Sequence, residues 1–353
     1  MINLKEQKKK SVSAIRGHQP FVGSSAIHAI AHWVPDNIVT SADIEAKLGI
    51  HVELEKRMGL QEKRVCDDRY SVVDLAMQAA DRLLSTGTFE GEPIPMDEID
   101  LVIYFGVRRE FEEPATAVLL QQRLDLSGAM AFDVSDACLG FSDAWCIADA
   151  MIATGRIRKA LLISGEKISV LGEHALSAIK SGSNLTDHVA SLSLGDGAVA
   201  ILIGPQSKEQ KCIYLRAGIR ENYSEFHQLC TLKSFLGPMI TNPSRLFSSA
   251  LSKFVPLCIS VLEAIEWGRE KVDHIITHQA SLPAIKKGAQ LLGIPLAKWS
   301  ITFPQYGNIA TVSLPLTLSL TLAQQTEWLT KKILTIGFGS GIGVGVFALE
   351  TYS

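Results

Sequence analysis

The feature that most constrains this chain of 353 residues is an internal repeat. Asp100 precedes the apolar run Leu101–Phe105, and Asp273 precedes a similar run 173 positions later. Lys159 and Lys332, which open two further apolar runs, are separated by the same 173 positions. Strand-length runs that alternate with helical patterns are typical of an α/β sheet covered on both faces. The repeat therefore predicts two copies of one α/β unit that face each other across a pseudo-twofold axis.

The two copies are predicted to differ in length. A Gly-x-Gly followed by an apolar strand closes each copy, at Gly195 and at Gly339, and these positions are only 144 apart. The first copy would then hold 29 extra residues, which we place at about 167–189 and interpret as a surface segment near the site. We divide the chain into a polar N-terminal extension (1–22), a first half (23–205) and a second half (206–353).

Composition excludes several classes of protein. The formal net charge is −3 and the pI about 6.3, so nothing attracts the whole chain to nucleic acid or to an anionic membrane surface. The apolar stretches have the length of strands, and the amino end has no apolar core of a secretory signal, so we expect a cytoplasmic protein. Six cysteines without a C-x-x-C pair favour reduced thiols over disulfides or zinc. We expect no metal and no cofactor.

One stretch has the pattern of a nucleophile turn. The apolar run 129–132 indicates the end of a buried strand, the small residues 135–138 a tight turn, and the spacing from Phe141 to Ile152 a helix with one buried face. Cys138 thus lies where a strand passes into a helix. The free N–H groups there favour a thiolate. The alternative is a small buried core residue, which free cysteines often are.

The repeat also predicts a group of three reactive or polar side chains. At the offset of 173, Cys138 falls opposite Thr311, and Ser135 falls opposite Asn308. His278 ends the strand that mirrors 101–105. We therefore expect Cys138, His278 and Asn308 to meet where the two halves join. Taken singly, His278 also fits a hydrogen-bonded residue at a strand end, and Asn308 a turn or helix cap.

This group suits acyl transfer. A thiolate attacks a thioester carbonyl readily, and the acyl enzyme that results is again a thioester. The Cys138 N–H and an N–H of the glycine loop Gly337–Gly341 would stabilise the oxyanion, and an imidazole with a carboxamide would hold an enolate oxygen. The glycine loop runs into a strand, so it is not a dinucleotide fingerprint. Asp196, which lies between Gly195 and Gly197, is predicted to order its own turn.

The sequence resembles the thiolase superfamily, and specifically its 3-oxoacyl-acyl-carrier-protein synthase III branch. The matches follow the family's order from about residue 24 to 350. They are Phe132–Val134, Ala137–Phe141, Leu194–Ala198, His278–Ala280, Tyr306–Asn308 and Gly337–Gly341. The resemblance implies a homodimer of five-layered αβαβα subunits. It also implies that Cys138 accepts an acyl group from a thioester, that His278 and Asn308 assist decarboxylation of a malonyl thioester, and that Phe338, Gly339 and Ser340 form an active-site loop with Phe338 beside the cysteine.

The chain departs from this family in ways that bear on its substrate. Relatives that take acyl-CoA often carry a tryptophan shortly before the arginine that matches Arg57, but no Phe, Trp or Tyr lies between Val34 and Tyr70. Pro283 replaces a basic residue common after His-Gln-Ala-x-Leu, and Lys286 and Lys287 are candidates to replace it in docking an acyl carrier protein. We therefore expect a condensing enzyme of specialised, polyketide-type or fatty-acid-like metabolism.

Two other functions remain open at this point. The same scaffold could pass the acyl group from Cys138 to an alcohol, amine or thiol without loss of CO2. Asn308 favours condensation, since simple transfer needs no carbanion stabiliser. A non-catalytic partner subunit of a condensing enzyme is the other alternative, but such a subunit would be expected to lack Cys138 or His278.

Overall fold

The computed structural model describes residues 19–324 and 330–352. The predicted N-terminal extension lies mostly outside the described residues. The strands are β1 (Phe21–Val22), β2 (Ser25–Trp33), β3 (Ile38–Thr40), β4 (Glu62–Arg64), β5 (Ile99–Tyr104), β6 (Met130–Asp133), β7 (Lys159–Lys167), β8 (Asp196–Pro205), β9 (Cys212–Asn222), β10 (Cys230–Thr231), β11 (Ile240–Thr241), β12 (His274–Thr277), β13 (Trp299–Ser300), β14 (Lys332–Gly339) and β15 (Gly343–Tyr352).

The α-helices alternate with these strands over most of the chain. They are α1 (Ser41–Leu48), α2 (Leu54–Met58), α3 (Val72–Thr86), α4 (Thr116–Arg123), α5 (Gly140–Ala153), α6 (Val170–Lys180), α7 (Leu185–Leu192), α8 (Pro243–Ala264), α9 (Leu282–Leu292), α10 (Phe303–Tyr306) and α11 (Ser313–Ala323). The side chain of Thr40 accepts from the backbone N–H of Asp43, so Thr40 caps α1. The hydroxyl of Ser41, the first residue of α1, instead donates to Leu60 O.

Ten strands form one hydrogen-bonded path, in the order β13-β12-β14-β15-β9-β2-β8-β7-β5-β6. The first half of the chain supplies β2, β8, β7, β5 and β6, and the second half supplies the other five. The halves join through a short antiparallel pairing of β2 with β9, where Ala26 faces Tyr214 and Ile27 faces Ile213. Each half thus contributes one five-stranded unit.

The pairing register confirms the predicted repeat. Val102 of β5 pairs with Leu161 of β7, and Ile275 of β12 pairs with Leu334 of β14. Both members of the second pair lie 173 positions after those of the first. Helices α5 and α11 also begin 173 positions apart, at Gly140 and Ser313. The two halves are therefore equivalent around the nucleophile turn.

Three hydrophobic cores separate the layers. In one outer core α3 and α4 pack on the five strands of the first half, called the first sheet. In the other outer core α8 and α9 pack on the five strands of the second half, called the second sheet. In the middle core, Phe141 and Trp145 of α5 and Leu314 of α11 pack against both sheets, including Leu162 and Ile333. Because each sheet buries both faces, its strands are nearly continuous apolar runs. The fold is the expected five-layered αβαβα arrangement.

Two details of the repeat analysis need correction. Leu202 pairs with Leu161, and Ala348 pairs with Leu334, so the last strands are offset by 146 positions. Gly195, just before β8, and Gly197, its second residue, therefore correspond to Gly341 and Gly343, and the first half holds 27 extra residues instead of 29. The interpretation as a surface segment is also too simple. Helices α6 and α7 cover most of it, and α6 buries residues such as Leu171 and Ala175.

Helix α8 is, among residues 19–324 and 330–352, the one helix long and apolar enough to cross a membrane, with a mean hydropathy of 1.4 over its most apolar window. The expectation that apolar stretches have only strand length overlooked it. Its Phe254, Leu257, Cys258, Val261 and Leu262 side chains are buried in the outer core of the second half. A core helix meets the same test of length and composition, so the resemblance to a membrane span is weak.

Candidate active site

The nucleophile turn follows β6 and is held tightly. The carboxylate of Asp133 accepts from the backbone N–H groups of Thr116 and Ala117, at 2.9 and 2.8 Å, so the strand end is joined to the start of α4. Ala137 has a φ of +44°, a conformation that costs energy for a residue with a Cβ. Leu139 N donates to Asp136 O at 2.9 Å and closes the turn around Cys138.

The thiol of Cys138 lies in an apolar environment. Cys138 packs in a small cluster with Ile168, Leu171, Leu194 and Ala310. Burial raises its pKa well above that of an ordinary thiol, and negative charge at Cys230, Glu166 and Asp136 acts in the same direction. This direction is opposite to the thiolate expected from the helix N-terminus. The helix begins two residues later, at Gly140, so Cys138 is not its first residue.

Three glycines, Gly337, Gly339 and Gly343, leave room for Leu139, the residue after the nucleophile; we call them the glycine bed. Leu139 is fully buried. A Cβ added to Gly337 or Gly343 would lie 2.6 Å from its side chain, and one at Gly339 would lie 3.0 Å from it and 3.3 Å from Asp136 O. Side chains at these positions would therefore collide with the turn. The glycine loop thus fits the turn of Cys138 by close backbone approach, a role that the sequence analysis did not foresee.

The mirrored turn carries the same strain. Ala310, 173 positions after Ala137, has a φ of +40°. Thr311, the counterpart of Cys138, donates its hydroxyl to Glu166 Oε1 at 2.6 Å, and Ser164 Oγ lies 2.9 Å from Thr311 Oγ1. The second turn is therefore tied to the end of β7 in the first half.

Glu166 is a fully buried carboxyl close to the nucleophile. Besides Thr311 it accepts from Val107 N at 2.8 Å and from Arg108 N at 3.4 Å. Burial raises its pKa from 4.5 to about 7, although these hydrogen bonds oppose the shift. Glu166 therefore titrates near neutral pH, and its ionised form disfavours a thiolate at Cys138.

His278 follows the last residue of β12 and is buried. Its backbone N–H donates to Ile336 O at 2.9 Å, while its Nδ1 has no hydrogen-bond partner among the described residues. Burial lowers the pKa of the imidazole from 6.5 to about 4, so the ring is neutral at pH 7. The neutral ring therefore has one buried nitrogen, Nδ1, that no described residue satisfies.

Gln279, the residue after His278, has a structural role that the sequence analysis did not predict. Its amide nitrogen donates to Thr277 O at 2.8 Å and to Ser300 O at 3.2 Å. Its amide oxygen accepts from the N–H groups of Thr302 and Phe303, at 2.9 and 3.0 Å. The side chain is therefore satisfied by the backbone, and it joins the ends of β12 and β13 to the start of α10.

Asn308 lies just before the mirrored turn. Its Oδ1 accepts from Ala310 N at 2.9 Å and from Ser313 Oγ at 3.4 Å, which fixes the orientation of the amide. Its backbone bonds to Ser193 and Gly195, next to Leu194. Since Cys138 packs with Leu194 and Ala310, Cys138 and Asn308 border the same cluster.

Two buried charges support the strand end beside Asn308. Lys63 donates to Leu194 O at 2.8 Å, and burial lowers its pKa to about 8. The carboxylate of Asp196 accepts from the backbone N–H groups of Cys66, Ile168 and Ser169, at 2.7 to 2.8 Å. Asp196 thus orders two distant segments as well as the start of β8, which is more than the predicted role within its own turn.

The remaining predicted residues fall into two groups. In the loop, the Phe338 ring packs edge-on against Phe254 with ring centroids 5.8 Å apart, and Ser340 opposes the rise that burial causes in the pKa of the Cys230 thiol. Whether Phe338 flanks the nucleophile stays a prediction. Arg57, Lys286 and Lys287 are exposed on α2 and α9. These two helices touch, since a Cβ at Gly59 would lie 2.4 Å from Leu282 Cβ.

All six cysteines are free, and the described residues contain no group of three His, Cys, Asp or Glu side chains that could hold a metal. Cys138, His278 and Asn308 stay the candidate reactive groups of the site, and the structure adds the buried carboxyl of Glu166. A thiol, a neutral imidazole and an oriented amide are the groups that acyl transfer and stabilisation of an enolate require.

Comparisons with known proteins agree with this chemistry. The family model for 3-oxoacyl-[acyl-carrier-protein (ACP)] synthase III matches residues 132–220, and the model for its C-terminal part matches 262–351. Together they cover just over half of the chain. A beta-ketoacyl-[acyl-carrier-protein] synthase III from Geobacillus kaustophilus is 27% identical over 332 residues, which span 92% of this chain and 98% of that protein.

Solved structures lead to the same family. A crystal structure of OleA from Xanthomonas campestris superposes with a TM-score of 0.85 at 26% identity and covers 94% of this chain and 99% of that one. A 3-oxoacyl-(acyl carrier protein) synthase III, FabH, from Xanthomonas oryzae gives 0.83 at 25% identity, with 93% and 99% covered. Fold and site therefore define a thiolase-superfamily condensing enzyme. Within that class the chain belongs to the 3-oxoacyl-acyl-carrier-protein synthase III family.

Proposed function

We propose that this chain accepts an acyl group on Cys138 from an acyl thioester and condenses it with a malonyl thioester, with loss of CO2. The observation that carries the proposal is the arrangement of the two strained turns, at Ala137 and Ala310. They bring a thiol and an oriented amide to the edges of one apolar cluster, in a fold whose family performs such condensations.

In the first step the sulfur of Cys138 attacks the thioester carbonyl. The thiol proton passes to the leaving sulfur, so one thioester and one thiol are exchanged for another thioester and thiol. The apolar surroundings keep Cys138 protonated until a donor arrives.

In the second step the malonyl thioester loses CO2, and its enolate attacks the acyl carbonyl on Cys138. The C–S bond to Cys138 then breaks and the released sulfur takes up a proton from solvent, which frees the 3-oxo thioester and restores the thiol. The enolate oxygen needs hydrogen-bond donors that are already oriented. We assign this role to His278, which is neutral at pH 7, and to the NH2 group of Asn308, whose amide oxygen is engaged by Ala310 and Ser313.

We further propose that an acyl carrier protein supplies a substrate and that the chain is a homodimer in the cytoplasm. The exposed cations Arg57, Lys286 and Lys287 on two touching helices suit an acidic carrier.

Strand β6 forms one end of the sheet path, and Met130 on it is an exposed apolar side chain. A second copy would cover this edge. The lack of a Phe, Trp or Tyr between 34 and 70 supports specialised metabolism over initiation from acetyl-CoA.

The experiment is to incubate the protein with an acyl thioester, add a malonyl thioester, and follow the peptide of Cys138 and the products by mass spectrometry. Acylation of Cys138 followed by a 3-oxo product supports the proposal. Transfer of the acyl group to an added alcohol, amine or thiol without CO2 indicates an acyltransferase. No acylation of Cys138 by CoA or carrier thioesters indicates a non-catalytic subunit.

A further inference from the structure

An ion-pair cluster lies against the nucleophile turn and has no place in the chemistry described so far. Arg220 projects from β9, a strand of the second half, and its side chain is only 15% exposed. Its Nε donates to Asp143 Oδ1 on α5 at 2.9 Å, and its Nη2 donates to Asp136 in the turn. One guanidinium therefore bridges the residue two before Cys138 and the residue five after it.

The backbone around Arg220 fixes this arrangement. Its Nη1 donates to Glu221 O at 2.6 Å and to Asn222 Oδ1 at 3.1 Å. A Cβ at Gly343 would lie 2.8 Å from both Nη atoms, so the glycines that seat Leu139 also make room for Arg220. A planar group with several donors in a rigid fork holds two carboxylates in a defined geometry, which a lysine does not.

We infer that Arg220 is a positioning residue for Cys138: by gripping Asp136 and Asp143 it holds the strained turn at Ala137 in the geometry that acylation needs. The contacts of Arg220 with Asp136 and Asp143, which we call the clamp, join the two halves of the chain. Arg220 belongs to the second half, which carries His278 and Asn308, and the two carboxylates belong to the first half, which carries the nucleophile. The clamp thereby sets the thiol in register with His278 and Asn308. The inference rests on the proposed role of Cys138 as the acyl acceptor.

The clamp also balances charge beside the thiol. The charged or titratable groups that act on Cys138 are Cys230, Glu166 and Asp136, and all three disfavour a thiolate. Arg220 neutralises Asp136. Burial and the adjacent carboxylate of Asp136, which accepts from a protonated Asp143, raise the pKa of Asp143 to about 6, although Arg220 opposes that shift. Without Arg220, two carboxyl groups would face each other near the nucleophile with no counter-ion.

The test compares Arg220→Met with Arg216→Met, both in the full-length chain. Arg216 lies four residues earlier on β9, and its side chain forms one ion pair with the described residues, with Glu350 at 3.5 Å. We measure the rate constant of Cys138 acylation by an acyl thioester and the donor KM. We also measure how the rate of Cys138 alkylation by iodoacetamide depends on pH. Mass spectrometry of the peptides distinguishes Cys138 from the other five cysteines. Thermal melting checks that each variant is folded.

We expect Arg220→Met to lower the acylation rate constant on the order of tenfold to a hundredfold with little change in KM, and Arg216→Met to leave both unchanged. The alkylation profile of Arg220→Met should move to higher pH, because Asp136 has lost its counter-ion. If Arg220 only filled space, a looser turn would expose the thiol and move the profile to lower pH, which would overturn the inference. An unchanged rate and profile would overturn it as well.

If Arg220→Met does not fold, a second variant, Asp136→Asn, tests the same inference. Asp136→Asn keeps the size of the side chain but removes the charge that Arg220 grips. It should slow acylation to a similar extent, whereas its alkylation profile should move to lower pH; acylation at the wild-type rate would refute the clamp. If no thioester acylates even the wild-type protein, the proposed function fails, and the alkylation profiles still decide whether Arg220 controls the turn.

Discussion

Ala137 and Ala310 lie 173 positions apart, and both have a positive φ, of +44° and +40°. Each precedes by three residues the first residue of a buried helix, Gly140 or Ser313. The same strained turn thus occurs once in each half, with a thiol at one copy and a threonine hydroxyl at the other. Such strain persists only where the surroundings hold it in place. Here the glycine bed and Arg220 hold one turn, and Glu166 holds the other.

The division of roles between the two turns predicts different defects. Cys138→Ala should abolish acylation, whereas Asn308→Ala should leave acylation within a few-fold of wild type and reduce condensation on the order of a hundredfold or more. Single-turnover loading and product formation, both followed by mass spectrometry, separate the two steps. Cys146→Ala, on the same helix as the nucleophile turn, serves as the control. Equal loss of loading in Asn308→Ala and Cys138→Ala would contradict this assignment.

His278 should make the protein less stable in acid. Its pKa is about 4 in the folded chain and 6.5 in the unfolded chain, so the unfolded state binds more protons between these values. Stability is therefore present above pH 6.5 and falls as the pH drops toward 4, by about 3 kcal/mol from this residue. Denaturant unfolding of His278→Asn should show a shallower acid slope than wild type. The exposed His227→Asn is the control, and an equal slope in His278→Asn would refute the prediction.

Glu166 should act in the opposite direction. Its pKa is about 7 in the folded chain against 4.5 when unfolded, so the folded state binds more protons between these values. Its contribution to stability is full below pH 4.5 and is lost as the pH rises through 7, by about 3 kcal/mol. The free energy of unfolding of Glu166→Gln should therefore fall less between pH 5 and pH 8 than that of wild type. Glu173→Gln, at an exposed ion pair, should behave like wild type. A wild-type pH dependence in Glu166→Gln would refute this prediction.

The glycine bed should not tolerate a methyl group. Gly337→Ala would place a Cβ 2.6 Å from Leu139 Cδ2, and we expect a loss of about 1–3 kcal/mol in stability together with slower acylation of Cys138. Gly128→Ala is the matched control, because a Cβ there would meet nothing within 4 Å. Thermal melting and the loading rate report the two effects. If Gly337→Ala were less stable but Cys138 were acylated at the wild-type rate, the glycine bed would not position the nucleophile, and the prediction would be contradicted.

Local patterns predicted the fold because the repeat leaves a regular signal. Strands such as β5 and β12 are short apolar runs at one offset, and their pairing follows from that offset. The insertion was harder, since helices α6 and α7 gain their burial from contacts with distant segments. Thr40 and Ser41 are both good caps, and only the path of the chain decides between them.

The site was predictable where chemistry has a sequence motif and unpredictable where it depends on burial. Cys138, His278 and Asn308 lie in recognisable motifs, and only His278 directly follows a strand. The raised pKa of Cys138 depends on side chains such as Leu171 and Ala310, which no local pattern brings together. Arg220, 84 positions from Asp136, was invisible for the same reason.

The central claim is that Cys138 holds an acyl group that a decarboxylated malonyl unit attacks. The most direct measurement is CO2 release from a carboxyl-labelled malonyl thioester added to protein already acylated on Cys138. The account predicts labelled CO2 and a 3-oxo product in equal amounts, with neither formed by Cys138→Ala. Loss of the acyl group from Cys138 without labelled CO2 would contradict it.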